Sequence, residues 1–237
     1  MELMNRSDYR LALRKANFQG MLLAMVGQIL ISDLERVLLI NRTQHPFISS
    51  DSPVVLYNYA TMRDHGLCGF QSPGLMILLP LGPDLCLCLY DPQAYAFKRE
   101  VNKTLEISRE IDVDEINRFQ LIAADEHAIY SDQSMVGYVQ SLHESIQKHR
   151  KKGVVSRIEG NINTEKGLGT LVRFSRMRIC YRPNISFIKV DSGYIRQIKQ
   201  NVKEHKGNIA GLVRSEEIAQ YTMERLKKSL ERPPGAT

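Results

Sequence analysis

Asp51 has the setting of a catalytic or metal-binding carboxylate. It lies in Phe47-Ile48-Ser49-Ser50-Asp51-Ser52-Pro53-Val54, a polar break between two apolar runs where strand ends present side chains to a cleft, with Ser49, Ser50 and Ser52 around it. Such a carboxylate is a candidate metal ligand or general base; the structural alternative is an Asx-type turn in which it accepts backbone N–H bonds ahead of Pro53. Asp125, Glu126, His127 and Asp132 form a second polar cluster. Gathered with Asp51, the carboxylates of Asp125 and Asp132 could hold a divalent metal for phosphodiester hydrolysis, with Asp125 and His127 as catalytic candidates; charged surface turns hold the same residue types. His45 precedes Pro46, and a His-Asp pair would serve acid/base catalysis if it met Asp51.

A second chemistry is basic. If Leu171 to Arg182 is a strand, alternation places Arg176, Arg178 and Arg182 on one face, where three guanidinium forks could grip successive phosphates. Lys148, Arg150, Lys151 and Lys152 form a nearby run, and Arg196, Lys199, Lys203 and Lys206 recur at helical spacing. Converging, they would make a nucleic-acid surface, and Tyr181 and Phe187 could stack on bases or belong to the core. The same charge could instead neutralise an acidic part of the chain or dock on an acidic protein, and an anionic membrane would need an apolar helix face beside the lysines.

Other chemistries lack their residues. Cys68, Cys86, Cys88 and Cys180 include no Cys-x-x-Cys pair; Cys86 and Cys88 alternate on one face of an apolar strand, where thiols pack as small apolar groups. Gly160 to Gly169 lacks the Gly-Lys-Ser/Thr ending of a phosphate-binding loop, and no Gly-x-Ser-x-Gly elbow occurs.

These residues sit in a 237-residue chain that is 43% hydrophobic and 24% charged, an ordinary globular composition. Charge is unevenly spread. Residues 1–147 carry 12 Lys/Arg against 18 Asp/Glu, and residues 148–214 carry 16 against 4. That asymmetry calls for a polyanionic partner or an internal match, and it divides the chain into an α+β part, 1–147, and a basic extension, 148–237, which could pack as one domain. Met21 to Ile31 is too short to span a membrane and reads as a buried helix. With no secretory leader in view, the expected compartment is the cytoplasm.

The positioning elements follow from periodicity. Leu11 to Ile31 reads as helix, and Leu34 to Ile40 as helix or strand, ended by a turn at Asn41-Arg42-Thr43. Leu75 to Leu81 and Leu85 to Tyr90 read as an antiparallel pair about Gly82-Pro83-Asp84. Asp112 to Ala124 and Val136 to His149 read as helices flanking a short strand at Ile129. In the basic part, Leu171 to Arg182 and Ile185 to Val190 read as a hairpin about Pro183-Asn184. A helix follows over Ser192 to His205, and another is capped by Ser215. The expected fold is α+β: N-terminal helices on a mixed or antiparallel sheet, followed by a basic C-terminal hairpin plus helices.

Three stretches in order carry a family resemblance. Phe47 to Val54, Met76-Ile77-Leu78-Leu79-Pro80-Leu81-Gly82-Pro83, and Asn117 followed by Ala123, Ala124 and Tyr130-Ser131 resemble domain-of-unknown-function family 4238 over about residues 20–132. That family brings no catalytic role. It usually begins with a His- and Pro-containing opening and a long helical region, so the resemblance implies that this chain starts part-way through it.

Two functions from different classes remain. One is a nucleic-acid-binding protein, extended to a metal-dependent nuclease if Asp51 and the Asp125 to Asp132 cluster hold a divalent ion. The other is a non-enzymatic interaction subunit, in a homo-oligomer or with an acidic protein partner.

Overall fold

The structure is a computed structural model describing residues 27–60, 69–149, 181–204, 213–221 and 224, with residues 156–164 and 167–175 described by their backbone. Lys151, Lys152, Arg176 and Arg178, like the helix expected before residue 27, lie outside the described residues. The chain divides into two compact units, residues 1–33 and residues 34–237. In the first, Gln28–Ile31, the end of the expected buried helix, forms a 3₁₀ turn in which Ile29, Leu30 and Ile31 are half-buried and none is fully buried.

The second unit is built on a five-stranded mixed sheet in the order β3-β4-β5-β1-β7. Its strands are β1 (Glu35–Asn41), β3 (Val55–Asn58), β4 (Leu75–Gly82), β5 (Leu85–Tyr90) and β7 (Thr104–Ile107). β1 alternates as a half-buried strand must, with Val37, Leu39 and Asn41 inward. Its register sets Val37 opposite Cys88 and Leu39 opposite Cys86 in antiparallel β5, while β7 runs parallel on the other edge. β4 and β5 form the expected hairpin. Both cysteines are fully buried, and burial pushes the Cys86 thiol up to about 12 and the Cys88 thiol well above its ordinary range.

The helices that cover the sheet are not N-terminal. α1 (Glu110–Ala123) contributes Val113, Ile116 and Phe119 to the main core, and α3 (Ser192–Glu204) contributes Ile195, Ile198 and Val202. α2 (Val136–Ile146) packs on α1 in a second cluster with Ile48, Leu121, Leu142 and Ile146. Two-residue strands β2 (Ser49–Ser50) and β8 (Ala128–Ile129) pair across the front of α1. Residues 216–221 form a last helix, and the Ser215 hydroxyl caps it by accepting the Ile218 N–H at 3.3 Å.

The basic hairpin differs from the expectation. β10 (Gly167–Ser175) pairs with β9 (Ser156–Thr164), not with the segment beyond Pro183, in a register that places Thr164 opposite Gly167. A two-residue link closes that pairing at low entropic cost. The segment after Asn184 gains more by joining the core. Ile185 and Phe187 are buried, and β11 (Ile188–Val190) pairs antiparallel with β6 (Tyr95–Phe97).

Candidate functional site

Asp51 is a loop clamp. Its Oδ1 accepts the Asp125 N–H at 2.9 Å, and its Oδ2 accepts those of Glu126 at 2.8 Å and His127 at 3.1 Å. The Asp51 N–H returns a bond to the His127 carbonyl. These amides, Glu126 foremost, hold the carboxyl below its ordinary range. The expected cluster of Asp125, Glu126, His127 and Asp132 meets Asp51 only through the backbone N–H groups of residues 125–127. Asp132 caps the following 3₁₀ turn by accepting the Ser134 N–H at 2.7 Å, and its carboxyl is lowered by that same residue. Among the described residues, no group of three or more His, Cys, Asp or Glu is arranged to hold a metal ion.

His45 meets a different aspartate. The Asn41 side chain builds its loop by donating to the His45 carbonyl at 2.7 Å and accepting the Thr43 N–H at 2.9 Å. The imidazole then faces α1, with Nδ1 2.8 Å from Asp114 Oδ1 and Nε2 3.8 Å from Glu110 Oε2. Tyr138 of α2 donates to the same Asp114 oxygen at 2.5 Å and lies against the His45 ring, centroids 4.6 Å apart. Burial, and then that bond to Asp114, push the Tyr138 phenol far up. Fully buried Asn117 closes the network, donating to the Pro46 carbonyl and Tyr138 Oη at 2.9 Å each and accepting the Ile48 N–H at 3.0 Å.

Other polar residues of α1 face the basic part of the chain. Asp112 accepts both the N–H and the hydroxyl of Ser186, at 2.7 and 2.6 Å. Glu115 accepts the Tyr181 hydroxyl at 2.7 Å and the Asn184 N–H at 3.2 Å, and pairs with Arg118 on its own helix. Tyr181 and Phe187 are thus tied into the fold, Tyr181 by its hydroxyl and Phe187 by burial. Arg182, between these anchors, is exposed and lays its guanidinium carbon 4.5 Å from the centre of the Tyr59 ring, within cation–π range.

That stack stands at a cavity of about 200 Å³, lined by Tyr57, Tyr59, Tyr95, Phe119, Arg182 and Asn184 among others. On α3, Arg196, Lys199 and Lys203 are exposed opposite buried Ile195, Ile198 and Val202. Ion pairs in which both partners are described, such as Arg42–Glu106, Lys103–Glu35, Arg118–Glu115 and His45–Asp114, lie inside the acidic part. Among the described residues, Arg182, Lys189, Arg196, Lys199 and Lys203 join none of them.

Comparison with known families matches residues 1–134 to one described as a protein of unknown function, DUF4238. The chain belongs to that DUF4238 family. The match begins at residue 1, so the expected loss of the family's N-terminal opening is not supported. The DUF4238 stretch includes Asp51, its three amide donors, Asn117 and the aromatic walls of the cavity, whereas Tyr138, Arg182, Asn184 and α3 follow it. Comparisons with curated proteins and with solved structures found no match. No described helix is long and apolar enough to cross a membrane.

Asp114, Tyr138, Asp112 and Glu115 belong to none of the motifs singled out from the sequence. Their signal was available: Glu110, Asp114 and Asn117 recur at helical spacing on one side of α1, and Asp112 and Glu115 on another.

Proposed function

We propose that the protein binds nucleic acid through its basic C-terminal part. The observation that carries this reading is the unspent charge. The described cations of residues 182–203 pair with no described acidic group, while Asp112 and Glu115 of α1 contact the same segment at Tyr181, Asn184 and Ser186. Those carboxylates are satisfied by hydroxyls, backbone amides and Arg118. At this contact an internal charge match would have used Arg182 instead.

Arg182 favours nucleic acid over an acidic protein, because it stands on the Tyr59 ring at a cavity whose lining includes three further aromatic residues, the pairing that grips a phosphate beside a base. Arg196, Lys199 and Lys203 extend the electrostatic surface along one side of α3. The reading is one of binding and places no step on Asp51, whose oxygens are occupied by amides.

Fluorescence anisotropy of labelled single-stranded RNA and DNA with the purified chain tests it. Saturable binding at low salt is the expected result. No binding at low salt overturns it and leaves an acidic protein as the partner of the basic face.

A further inference from the structure

We infer that the cavity beneath Arg182 is a pocket for one nucleobase of a single strand, an inference that rests on the nucleic-acid reading above. Four features support it. The walls are part aromatic and part aliphatic: buried Tyr57 and Phe119, centroids 4.9 Å apart, and Tyr95 share the lining with Met76, Ile185 and Val190, and Tyr59 stands at the rim under Arg182. Aromatic faces accept any base by stacking, whereas an aliphatic pocket offers no such preference for flat rings.

The size is selective. About 200 Å³ is below the roughly 300–1,000 Å³ of sites for drug-sized ligands, and suits a single ring system rather than a chain of them.

The rim carries the two groups that a nucleotide needs beside its ring. The Arg182 guanidinium is a planar fork for a phosphate, and Asn184 brings an amide able both to donate to and to accept from a base edge.

Both sides of the mouth are also fixed before any ligand arrives. The segment bearing Arg182 and Asn184 is tied to α1 through Glu115 and Asp112. On the other side, the Tyr59 N–H donates to the Tyr95 hydroxyl at 3.0 Å, which itself donates to the Gly74 carbonyl at 2.9 Å. Gly74 has φ +75°, and a side chain there would meet Asn58 Oδ1 and Ile198 Cδ1 at 3.1 and 3.2 Å, so the wall beneath Tyr95 is held closely. Binding to such a mouth requires little ordering of the protein.

The test compares a short single-stranded oligodeoxyadenylate with an abasic strand carrying the same number of phosphates. The natural strand should bind about 5- to 150-fold more tightly, the range that stacking of one base supplies. Tyr59→Ala and, at the exposed rim, Arg182→Gln should each shrink that ratio, the second without risk to the core. Because the chain has no tryptophan, 2-aminopurine placed in the strand can be excited selectively, and its fluorescence should be quenched on binding. Equal binding of the natural and abasic strands overturns the base pocket while leaving the nucleic-acid reading intact. Failure of both strands to bind overturns both. Tighter binding of the natural strand that survives unchanged in both variants places the base elsewhere and also overturns the pocket.

Discussion

His45 Nδ1 lies 2.8 Å from Asp114 Oδ1, the oxygen that also accepts the Tyr138 hydroxyl. A carboxylate can only accept, so this contact fixes the neutral imidazole as the Nδ1–H tautomer and turns unprotonated Nε2 towards Glu110. Nitrogen-15 shifts of the His45 side chain should report that tautomer, and Asp114→Asn should redistribute it. Because the pair is partly exposed, a double-mutant cycle of His45→Ala with Asp114→Ala should give a coupling of about 1 kcal/mol or less. An Nε2–H tautomer would contradict the arrangement.

The Asp51 clamp predicts a pH-dependent loss of stability. Amide donors lower the folded-state pKa of Asp51. Its contribution is therefore present above the unfolded carboxyl value and disappears as pH falls through the folded one. Asp51→Asn should lower the melting temperature at neutral pH, with the gap to the parent closing in strong acid. Equal melting temperatures at neutral pH would show that the three amides do not depend on the carboxylate.

Asn117→Ala removes a buried acceptor for the Ile48 N–H and a donor to the Pro46 carbonyl and Tyr138. With buried backbone groups left unpaired, the loss should be about 2–4 kcal/mol by urea unfolding, among the larger single-site effects in this chain. A loss of a few tenths would mean that the network repacks around the gap.

Cys86 and Cys88 should resist alkylation in the native protein and react after unfolding, since burial raises both thiols and removes them from solvent. Mass mapping of iodoacetamide adducts separates them from Cys68 and Cys180. Rapid native labelling of Cys86 or Cys88 would place β5 nearer the surface than described.

Much of the sheet was legible because its residues obey local rules. Cys86 and Cys88 alternate, Gly82-Pro83-Asp84 turns, and Val113, Ile116 and Phe119 recur at helical spacing. Partner choice was less legible. His45 is close in sequence to Asp51, yet the turn built by Asn41 aims it at Asp114, 69 residues away. Asp51 reads equally as ligand or turn former because either role requires a carboxylate among small polar residues; only the backbone of residues 125–127 decides. The segment beyond Pro183 carries both strand and turn signals, and the core contacts of Ile185 and Phe187, which depend on distant residues, override the local pattern.

The most direct test of the central claim is the salt dependence of single-strand binding, compared between the parent and Arg196→Ala/Lys199→Ala/Lys203→Ala. These side chains are exposed, so the triple variant should keep its fold. If each meets one phosphate, the slope of log K against log salt should become shallower by about 2. A parent with a steep slope and a variant that loses about that much is the predicted result. Salt-independent binding, or a slope unchanged in the variant, would contradict a nucleic-acid surface along α3.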